Sequence, residues 1–378
     1  MTPRVLLSCG EPSGDLYAAA LTRELQTLAP GADVFGLGGP QFVAAGGRAV
    51  ADYRGLSVTG FTEPIAKMPQ LLAARRALLA GAARTRPDVF VPIDFWGFNH
   101  KLGRSLARRG VPVVYYVSPQ LWASRPWRLK TMRRIARRVL VIFPFEERIY
   151  RAARVPVEFV GHPLVDLAKP SQPRSVFLPR LGLDASAPTV AMLPGSRPGE
   201  VSRILPDLVD AANRVRALVP GVQYVVARAA NLDDSLFAAL RGGRLPRSVT
   251  VEAETDTVLA CADLALTASG TATVQAALHD TPMVIVYRVS PWTYRLGRHL
   301  LKVSTFGMVN LIAGRQIVPE LIQDAFTPQA VATEAVSMLT DPARAARIRQ
   351  GLKEVRERLG GGGASRRAAE AILRFTRR

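Results

Sequence analysis

Two short turns in the second half of the chain contain the residue types that bind phosphate. They are residues 194–197 (Pro-Gly-Ser-Arg) and 269–271 (Ser-Gly-Thr), and each follows an apolar run that predicts a strand. A helical pattern follows each turn, so free backbone N–H groups and the positive end of a helix should point at one place. Arg197 adds a planar guanidinium that can bind two phosphate oxygens at once. These features predict a nucleotide-diphosphate site, although each turn alone is common in α/β proteins.

Asp94 is a candidate proton acceptor in the first half of the chain. It ends the apolar run 88–94, which predicts a strand. In an open α/β sheet, the carboxyl end of a parallel strand faces the ligand crevice. A carboxylate at that place could act as a general base. The alternative is that Asp94 caps a helix or anchors a loop.

Apolar runs alternate with helical patterns along both halves, which predicts two α/β domains. Strands are expected at 5–9, 34–37, 88–94, 111–117 and 139–143, and then at 189–193, 224–227, 249–251, 262–267 and 283–288. Residues 169–174 are rich in proline and serine, as is typical of a linker, so we expect domains at 1–168 and 175–343, with further helices at 344–378. The fingerprint G-x-G-x-x-G is absent after the first strand, which argues against a dehydrogenase.

The charge of the chain is strongly positive and unevenly placed. The formal net charge is +20. Residues 101–138 contain eleven Lys or Arg and no acidic residue, and residues 344–378 contain eleven Lys or Arg and three Glu. Such a bias favours a polyanionic partner, which could be nucleic acid, an anionic membrane or a phosphorylated substrate. The alternative is a solvated basic surface.

Other features restrict the class of protein. Cys9 and Cys261 lie far apart, in or beside predicted strands, which indicates buried free thiols and a reducing compartment. The four histidines lack zinc-ligand spacing and the chain shows no metal-ligand cluster, so no metal site is expected. No apolar run is long enough to span a bilayer. A helix at 69–83 carries an apolar stripe beside Arg75 and Arg76, which either packs in the core or touches a bilayer.

Taken in order, these motifs make the chain similar to the lipid-A-disaccharide synthase family. No single motif is decisive, but the ordered set is specific and extends from about residue 5 to residue 323. The matching runs are residues 10–15 (GEPSGD), 93–94 with 98–99, 116–119 (YVSP), 144–146 (PFE), 159–164 (FVGHPL), 193–197 with 200–201, 269–273 (SGTAT), 310–315 and 319–321.

This resemblance implies a GT-B architecture, in which two Rossmann-like domains face a cleft and C-terminal helices pack back on the first domain or on a partner subunit. It implies an inverting glycosyltransferase that needs no metal or other cofactor. The donor would be UDP-2,3-diacylglucosamine and the acceptor 2,3-diacylglucosamine 1-phosphate, giving lipid A disaccharide 1-phosphate and UDP. The protein would be peripheral on the cytoplasmic face of the bacterial inner membrane, bind its anionic surface and no nucleic acid, and could form a homodimer.

The resemblance also implies which residues bind substrate. The leaving UDP gathers negative charge. The groups that would stabilise this charge are Arg197, Arg288 and the N–H groups of Ser196, Gly270 and Thr271. Other positions that match the family's motifs and are expected to bind substrate are Ser13, Gly14, Asn99, His162, Gly195, Ser269, Thr271, Gln275, Asn310, Arg315, Glu320 and Gln323.

Two residues depart from the family pattern. Gly97 stands where the family often has an Asp that is considered catalytic, so that role cannot be transferred. Asp94 is then the expected base, with Glu11 and Asp15 as rivals. Gln275 stands where the family usually has a Glu, which in related GT-B enzymes accepts hydrogen bonds from both ribose hydroxyls. Its neutral amide should hold a diol less well.

Two other functions are open on the sequence alone. One is a different GT-B enzyme, such as a UDP-N-acetylglucosamine epimerase or the lipid II glycosyltransferase, whose signature runs differ. The other is a non-catalytic basic paralogue that binds an anionic membrane or nucleic acid. Stabilisation by UDP would favour a catalytic donor site, whereas retention on heparin with a steep salt dependence would favour nucleic-acid binding.

Overall fold

The computed structural model describes residues 2–54, 56, 67–119, 128–230, 232–240, 245–289 and 307–376. These residues form two compact units. The first contains the described residues up to Asp166 together with those from Leu359 onward, and the second contains those from Leu167 to Arg358. Along the described residues, the chain therefore leaves the first unit after Asp166 and returns to it at Leu359.

The first unit is built on parallel strands. Its elements in chain order are β1 (Arg4–Ser8), α1 (Pro12–Leu28), β2 (Asp33–Gly38), α2 (Pro40–Ala44), β3 (Arg48–Asp52), α3 (Met68–Thr85), β4 (Val89–Pro92), α4 (Trp96–Ala107), β5 (Val114–Tyr116), α5 (Arg128–Ile135), β6 (Arg138–Val141), α6 (Pro144–Ala152), β7 (Val157–Phe159) and α7 (Leu164–Leu167). The strand order is β3-β2-β1-β4, and a second parallel sheet has the order β5-β6-β7. Isolated parallel bridges at Phe90–Val113 and Ile93–Tyr116 join the two sheets.

The second unit repeats this plan with one continuous parallel sheet. Its elements are α8 (Arg174–Arg180), β8 (Thr189–Leu193), α9 (Pro198–Leu218), β9 (Gln223–Arg228), β10 (Ser248–Glu252), α10 (Thr255–Ala260), β11 (Leu264–Ala268), α11 (Thr271–Leu278), β12 (Met283–Tyr287), α12 (Met308–Ala313), β13 (Glu320–Ile322), α13 (Pro328–Thr340) and α14 (Pro342–Arg358), with 3₁₀ turns at Asp234–Leu240 and Gln323–Ala325. The strand order is β10-β9-β8-β11-β12-β13.

Both orders are those of doubly wound, Rossmann-like sheets. In each unit the order reverses beside the first strand, between β1 and β4 and between β8 and β11. Ligands of such sheets bind outside the carboxyl ends of the strands at this reversal. The predicted α/β fold of two Rossmann-like units is confirmed, and the turns singled out in the sequence fall at these two reversals.

Continuous apolar strands explain why the sheets form. All five residues of β8 and all five of β11 are buried, as expected when helices cover both faces of a parallel sheet.

The first helix begins at Pro12, four residues before the apolar pattern at Leu16 predicts. Proline fits the first helical position because its fixed φ suits the helix and no N–H is needed there. Ser13, Gly14 and Asp15 therefore lie in the first turn of α1.

The returning chain forms the last helix, α15 (Ala364–Leu373), which packs on α1 of the same unit. Its first turn is held by Asp166, which accepts hydrogen bonds from the backbone N–H groups of Gly363 (2.7 Å) and Ala364 (3.3 Å). Arg367 donates to the carbonyl oxygen of Val160 at 2.9 Å. These bonds fix the helix to its own chain.

Cys9 and Cys261 are both buried and free, as predicted from the sequence. None of the helices in the described part of the chain is long and apolar enough to cross a membrane.

Candidate active site

The predicted phosphate turns lie side by side at the carboxyl edge of the second unit. Strand β11 pairs with β8 on one side, Thr267 opposite Leu193, and with β12 on the other, Ala268 opposite Val286. The turns that follow β8 and β11 therefore leave the sheet next to each other and lead into α9 and α11. The structure thus places the two turns together, as a diphosphate site requires.

The first turn depends on Gly195. Its φ is +128°, and a Cβ there would lie 2.7 Å from the Cβ of Glu200, so a larger residue would be strained and crowded. Glu200 accepts a hydrogen bond from the Ser196 N–H at 3.2 Å and pairs with the Arg197 guanidinium at 3.2 Å. Glu200 therefore holds both Ser196 and Arg197 at the start of α9. A guanidinium has five N–H donors, so this pairing is compatible with a bound phosphate.

The second turn is Ser269–Gly270 at the start of α11. The Ser269 N–H donates to the carbonyl oxygen of Val286 at 3.0 Å, which ties the turn to β12. A Cβ at Gly270 would meet no described atom within 4 Å, so the space over this residue is open. Thr273 donates its hydroxyl to the Gly270 carbonyl oxygen at 2.8 Å. Thr271 is the first residue of α11, where helical N–H groups lack partners within the helix.

Gln275 lies one turn into α11 and has a charged neighbour that the sequence did not indicate. Its Nε2 lies 3.1 Å from each carboxylate oxygen of Asp256, on α10. His279, one turn further along α11, approaches the same carboxylate at 2.9 Å through Nε2. Since an amide nitrogen only donates, Asp256 fixes which way the Gln275 amide points. Asp256 belongs to none of the sequence motifs, so only the fold could reveal this contact.

Arg288 lies at the same edge but is engaged in the framework. Its guanidinium pairs with Asp207 of α9, donates to the carbonyl oxygen of Phe326 at 2.5 Å, and stacks over the Phe326 ring at 4.6 Å. These contacts give Arg288 a structural role. The sequence predicted only that it binds phosphate.

Two of the four family positions beyond β12, Asn310 and Glu320, also make contacts within the framework. Asn310 is buried, donates to the carbonyl oxygen of Val318 (2.9 Å) and to Glu320 (2.6 Å), and accepts from the N–H of Ile317 (2.7 Å). Glu320 also accepts from the Gly307 N–H at 3.0 Å. Asn310 and Glu320 thus brace the chain as it enters β13.

Arg315 and Gln323 lie beyond opposite ends of β13. Arg315 precedes the strand, on the side away from the phosphate turns, and pairs with Glu354 of α14 at 2.8 Å. Gln323 directly follows the strand, and Ile322 pairs with Tyr287 at the end of β12. Of these two residues, the structure brings only Gln323 to the carboxyl edge.

Asp94 lies at the carboxyl edge of the first unit, just after β4, and is exposed. Its φ is +43° and that of Phe95 is +49°, a left-handed conformation that is uncommon outside glycine. Asn99 is fully buried and stabilises this turn, because its Nδ2 donates to the carbonyl oxygens of Asp94 (2.8 Å) and Ser8 (3.1 Å). The Ser8 hydroxyl donates back to Asn99 Oδ1 at 2.7 Å. Asn99 therefore orients Asp94, and these contacts give it a structural role.

The turn after β1 packs against the Asp94 turn. A Cβ at Gly10 would lie 2.3 Å from the Phe95 ring, so only glycine fits there. Glu11, the next residue, precedes α1 and is half-buried. Ser13 is half-buried in the first turn of α1, and Gly14 allows the helix to approach β1, since its Cβ would lie 3.1 Å from the Cβ of Cys9. Glu11 and Asp94 therefore belong to neighbouring turns of one edge.

Asp15 has a different environment from the other two carboxylates. It is 1% exposed and accepts backbone hydrogen bonds from Gly39 (2.7 Å), Gln41 (3.0 Å) and Phe42 (3.2 Å) at the start of α2. Three N–H donors occupy the carboxylate and fix the turn between β2 and α2. This geometry argues against Asp15 as the base and identifies it as a helix cap.

His162 is buried beside Tyr17 and Phe143, with ring centroids 6.0 Å and 5.2 Å away. Its Nδ1 accepts a hydrogen bond from the Leu164 N–H at 3.1 Å. Burial lowers the pKa of His162 to about 3, so the ring is neutral at physiological pH. Gly97, in contrast, lies in the first turn of α4, exposed, and a Cβ there would meet no described atom within 4 Å.

The chain has close relatives among characterised families. A model of the family described as "Lipid-A-disaccharide synthetase" matches residues 5–375. A lipid-A-disaccharide synthase from Koribacter versatilis is 44% identical over 381 residues, covering 99% of each chain. One from Myxococcus xanthus is 43% identical over 371 residues, covering 98% of this chain and 97% of the relative.

Solved structures support the fold. The glycotransferase of kitacinnamycin aligns with a TM-score of 0.63 at 19% identity, covering 100% of both chains. CalG4, the calicheamicin glycosyltransferase, has a TM-score of 0.63 at 17% identity over 99% of this chain and 98% of the other. A UDP-GlcNAc 2-epimerase from Neisseria meningitidis has a TM-score of 0.68 at 11% identity over 99% and 100%. At such identities these likenesses concern the fold alone.

Proposed function

The chain belongs to the lipid-A-disaccharide synthetase family, and from this membership we propose the reaction and the residues that carry it out. The protein is a glycosyltransferase of lipid A biosynthesis. The proposed reaction moves 2,3-diacylglucosamine from UDP to the 6-hydroxyl of 2,3-diacylglucosamine 1-phosphate. The products are the β(1→6)-linked disaccharide 1-phosphate and UDP, with inversion at the anomeric carbon.

The observation that carries the donor assignment is the pair of turns after β8 and β11, at the point where the strand order reverses. The UDP diphosphate is proposed to bind there, between the Ser196–Arg197 turn and the start of α11. As the glycosidic bond breaks, charge develops on the β-phosphate. Arg197 and the N–H groups of Gly270 and Thr271 would stabilise this charge more in the transition state than in the ground state.

Gln275 is proposed to accept a hydrogen bond from the ribose through Oε1, because Asp256 holds its amide nitrogen. A single neutral acceptor binds a diol less strongly than a carboxylate does. The diphosphate contacts would then supply a larger share of the donor affinity in this protein.

Asp94 is proposed as the general base for the acceptor. The acceptor 6-hydroxyl must lose its proton as its oxygen attacks the anomeric carbon, and a carboxylate at this edge can accept that proton. Asp94 is exposed while its backbone is fixed on both sides, so its carboxylate extends into solvent from a backbone that is held in place. Glu11, in the adjoining turn, is the second candidate. Asp15 is not proposed, because it caps α2.

We also propose that the first unit binds an anionic membrane surface, as a peripheral protein on the cytoplasmic face of the inner membrane. Helices α4 and α5 carry exposed or half-exposed Lys101, Arg104, Lys130, Arg133 and Arg134. On α3, Met68 and Leu72 are 39% and 41% exposed, so the predicted stripe is only partly buried. Basic and apolar groups together suit an anionic bilayer surface. Binding to anionic but not zwitterionic vesicles, without retention on nucleic acid at the same salt, would support this assignment.

The family match disfavours the other functions. A different sugar-nucleotide enzyme would not share a lipid-A-disaccharide synthetase match over residues 5–375. The packing of α15 on α1 of its own chain supplies the contact that an exchanged helix would supply in a swapped dimer. Light scattering on the purified protein would give its oligomeric state.

The product identifies the reaction. The purified protein should convert the two acylated substrates to a disaccharide 1-phosphate whose mass equals donor plus acceptor minus UDP. The proton coupling of the new anomeric centre should be that of a β-linkage. An α-linked product, or hydrolysis of the donor without transfer, would contradict the proposal.

A further inference from the structure

Three residues with positive φ meet at the carboxyl edge of the first unit. They are Asp94 (+43°), Phe95 (+49°) and Val117 (+58°). Val117 is the most unusual, because a β-branched residue is a genuine outlier in the left-handed region. Each such conformation costs on the order of 1–3 kcal/mol and persists only where the surrounding structure determines it, which happens most often at functional sites. The contacts of Val117 must therefore stabilise this conformation.

Val117 is hydrogen-bonded to the backbone of the proposed base, Asp94. Its carbonyl oxygen accepts a hydrogen bond from the Asp94 N–H at 3.0 Å, while its own N–H donates to the carbonyl oxygen of Leu140 at 3.1 Å. Asn99 binds the other side of Asp94, at its carbonyl oxygen. The backbone of Asp94 is thus held between Asn99 and Val117. A rotation of the Val117 peptide would remove one of the two bonds that place Asp94.

A buried polar network holds the residue that follows Val117. The Ser118 hydroxyl donates to Glu146 Oε1 at 2.9 Å and lies 2.9 Å from the Tyr150 hydroxyl. Since a serine hydroxyl has one proton, donation to Glu146 leaves its oxygen to accept from Tyr150. Ser118 is 5% exposed, and Glu146 and Tyr150 are each 1% exposed. Glu146 and Tyr150 both lie on α6, so this helix is connected to the turn after β5.

The burial of the Glu146 carboxylate is energetically unfavourable, which points to a function for it. Removing a carboxylate from water is expensive, and apolar residues of similar volume usually stabilise a core as well or better. Burial raises the pKa of Tyr150, the Ser118 hydrogen bond lowers it, and the charges of Glu146 and Asp94 raise it further. The pKa of Tyr115 is likewise raised, chiefly by burial and also by Tyr150 and Asp94. Because Ser118 directly follows Val117, whose carbonyl oxygen accepts from the Asp94 N–H, the network joins α6 to the turn that holds Asp94.

We propose that Ser118 and Glu146 are positioning residues for Asp94 in glycosyl transfer. Glu146 holds the Ser118 hydroxyl, Ser118 holds the strained Val117 turn, and the Val117 carbonyl oxygen fixes the Asp94 N–H. This role rests on the proposed function, in which Asp94 is the base. It gives a purpose to two sequence motifs, YVSP at 116–119 and PFE at 144–146, to which the sequence reasoning assigned no chemistry.

Kinetics of Ser118→Ala and Glu146→Ala test the proposal. Each should lower kcat by about 10- to 100-fold, since a catalytic group displaced by about 1 Å can lose 10²-fold. The donor KM should stay within about twofold, because the donor turns belong to the second unit and uniform binding is untouched. Glu146→Gln keeps a carbonyl oxygen for the Ser118 hydroxyl, so it should restore kcat to within about threefold of the unchanged protein.

Ser365→Ala is the matched control. Ser365 is also a buried serine (7% exposed) of the first unit, and its hydroxyl lies 3.5 Å from the hydroxyl of Tyr116. It is on α15, and its hydroxyl approaches Tyr116 rather than the Ser118, Glu146 and Tyr150 side chains. This variant should leave kcat unchanged. A loss in Ser365→Ala equal to that in Ser118→Ala would show a general effect of deleting a buried hydroxyl and would overturn the proposal.

A double-mutant cycle with Asp94→Asn separates positioning from a merely structural effect. If Ser118 acts through Asp94, adding Ser118→Ala to Asp94→Asn should cause no further loss of the residual rate, measured with radiolabelled donor. A further loss as large as in the single variant would overturn the proposal. So would unchanged turnover of Ser118→Ala alongside an inactive Asp94→Asn, which would leave the base assignment intact. Near-normal turnover of Asp94→Asn would instead overturn the base assignment, and this proposal with it.

Discussion

Replacing Asp15 by Asn tests whether this carboxylate caps a helix or carries out chemistry. In the native protein, Oδ1 accepts from Gly39 and Phe42 and Oδ2 accepts from Gln41, all within a site that is 1% exposed. An amide keeps one oxygen acceptor and turns an N–H₂ group toward the third donor. The variant therefore leaves one buried N–H without an acceptor and converts the other two bonds from charged to neutral.

The size of the effect follows from these bonds. An unsatisfied buried N–H costs about 1–3 kcal/mol, and each bond that loses its charged partner weakens by about 1 kcal/mol. Asp15→Asn should thus lower the free energy of unfolding by about 3–5 kcal/mol. At about 2–4 °C per kcal/mol for a unit of this size, the Tm of the first unit should fall by roughly 6–20 °C. Differential scanning calorimetry measures this shift.

Asp33→Asn is the control, because Asp33 is the 35%-exposed partner of Arg48 in a surface ion pair. Such pairs contribute about 0–1 kcal/mol, so the control should melt within a few degrees of the unchanged protein. At a temperature where Asp15→Asn is still folded, its turnover should be close to normal. Unchanged stability together with abolished turnover would refute the capping argument and make Asp15 the base.

Three further predictions concern other parts of the site. Arg197→Ala should weaken UDP binding by about 10- to 150-fold, the equivalent of about 1.5–3 kcal/mol for charge-assisted hydrogen bonds, while Arg214→Ala on the same helix should not; calorimetric titration with UDP that finds equal affinities would contradict the donor assignment. Gly97→Asp should raise the free energy of unfolding by about 0.5–1 kcal/mol, because the space there is open and an acidic residue suits the first turn of a helix; a lower Tm would contradict this. Because burial lowers the pKa of His162 to about 3, the unfolded chain protonates this ring near pH 6.5 while the native state does not, so its contribution to stability is lost as pH falls from about 6.5 toward 3, by up to about 1.4 kcal/mol per pH unit. Urea unfolding of His162→Gln should show a shallower pH dependence over that window, and an unchanged slope would contradict the assignment.

Strand-end turns were predictable from the sequence because their signals are local. An apolar run followed by Gly-Ser-Arg specifies a strand, a turn and a helix start within about a dozen residues. The sheet order then determines that such turns meet, and the predicted pair after β8 and β11 does meet. The same logic placed Asp94 at a carboxyl edge.

Roles that depend on distant partners were not predictable. Asp15 lies beside Glu11 in one motif, yet its function is decided by the N–H groups of Gly39, Gln41 and Phe42, in another element. Arg288 ends a strand as a phosphate ligand might, but Asp207 of α9 engages it. No local pattern announces such a partner, because the contact exists only after the chain has folded.

The helix start at Pro12 illustrates a further limit. The apolar pattern begins at Leu16, so periodicity alone puts Ser13, Gly14 and Asp15 in a turn. Proline at the first helical position extends the helix by one turn in the structure. Ser13, Gly14 and Asp15 therefore have helical backbone conformations, and this determines which neighbouring groups their side chains can contact.

The most direct test of the account is UDP release by the purified protein and by Asp94→Asn, each given the acylated UDP-glucosamine donor with and without the acylated glucosamine 1-phosphate acceptor. We expect the unchanged protein to release UDP only when the acceptor is present. The variant should bind added UDP with normal affinity. It should form UDP from the donor at least about 100-fold more slowly than the unchanged protein, as is typical when a general base is lost. Acceptor-independent release, or a variant as fast as the unchanged protein, would contradict the account.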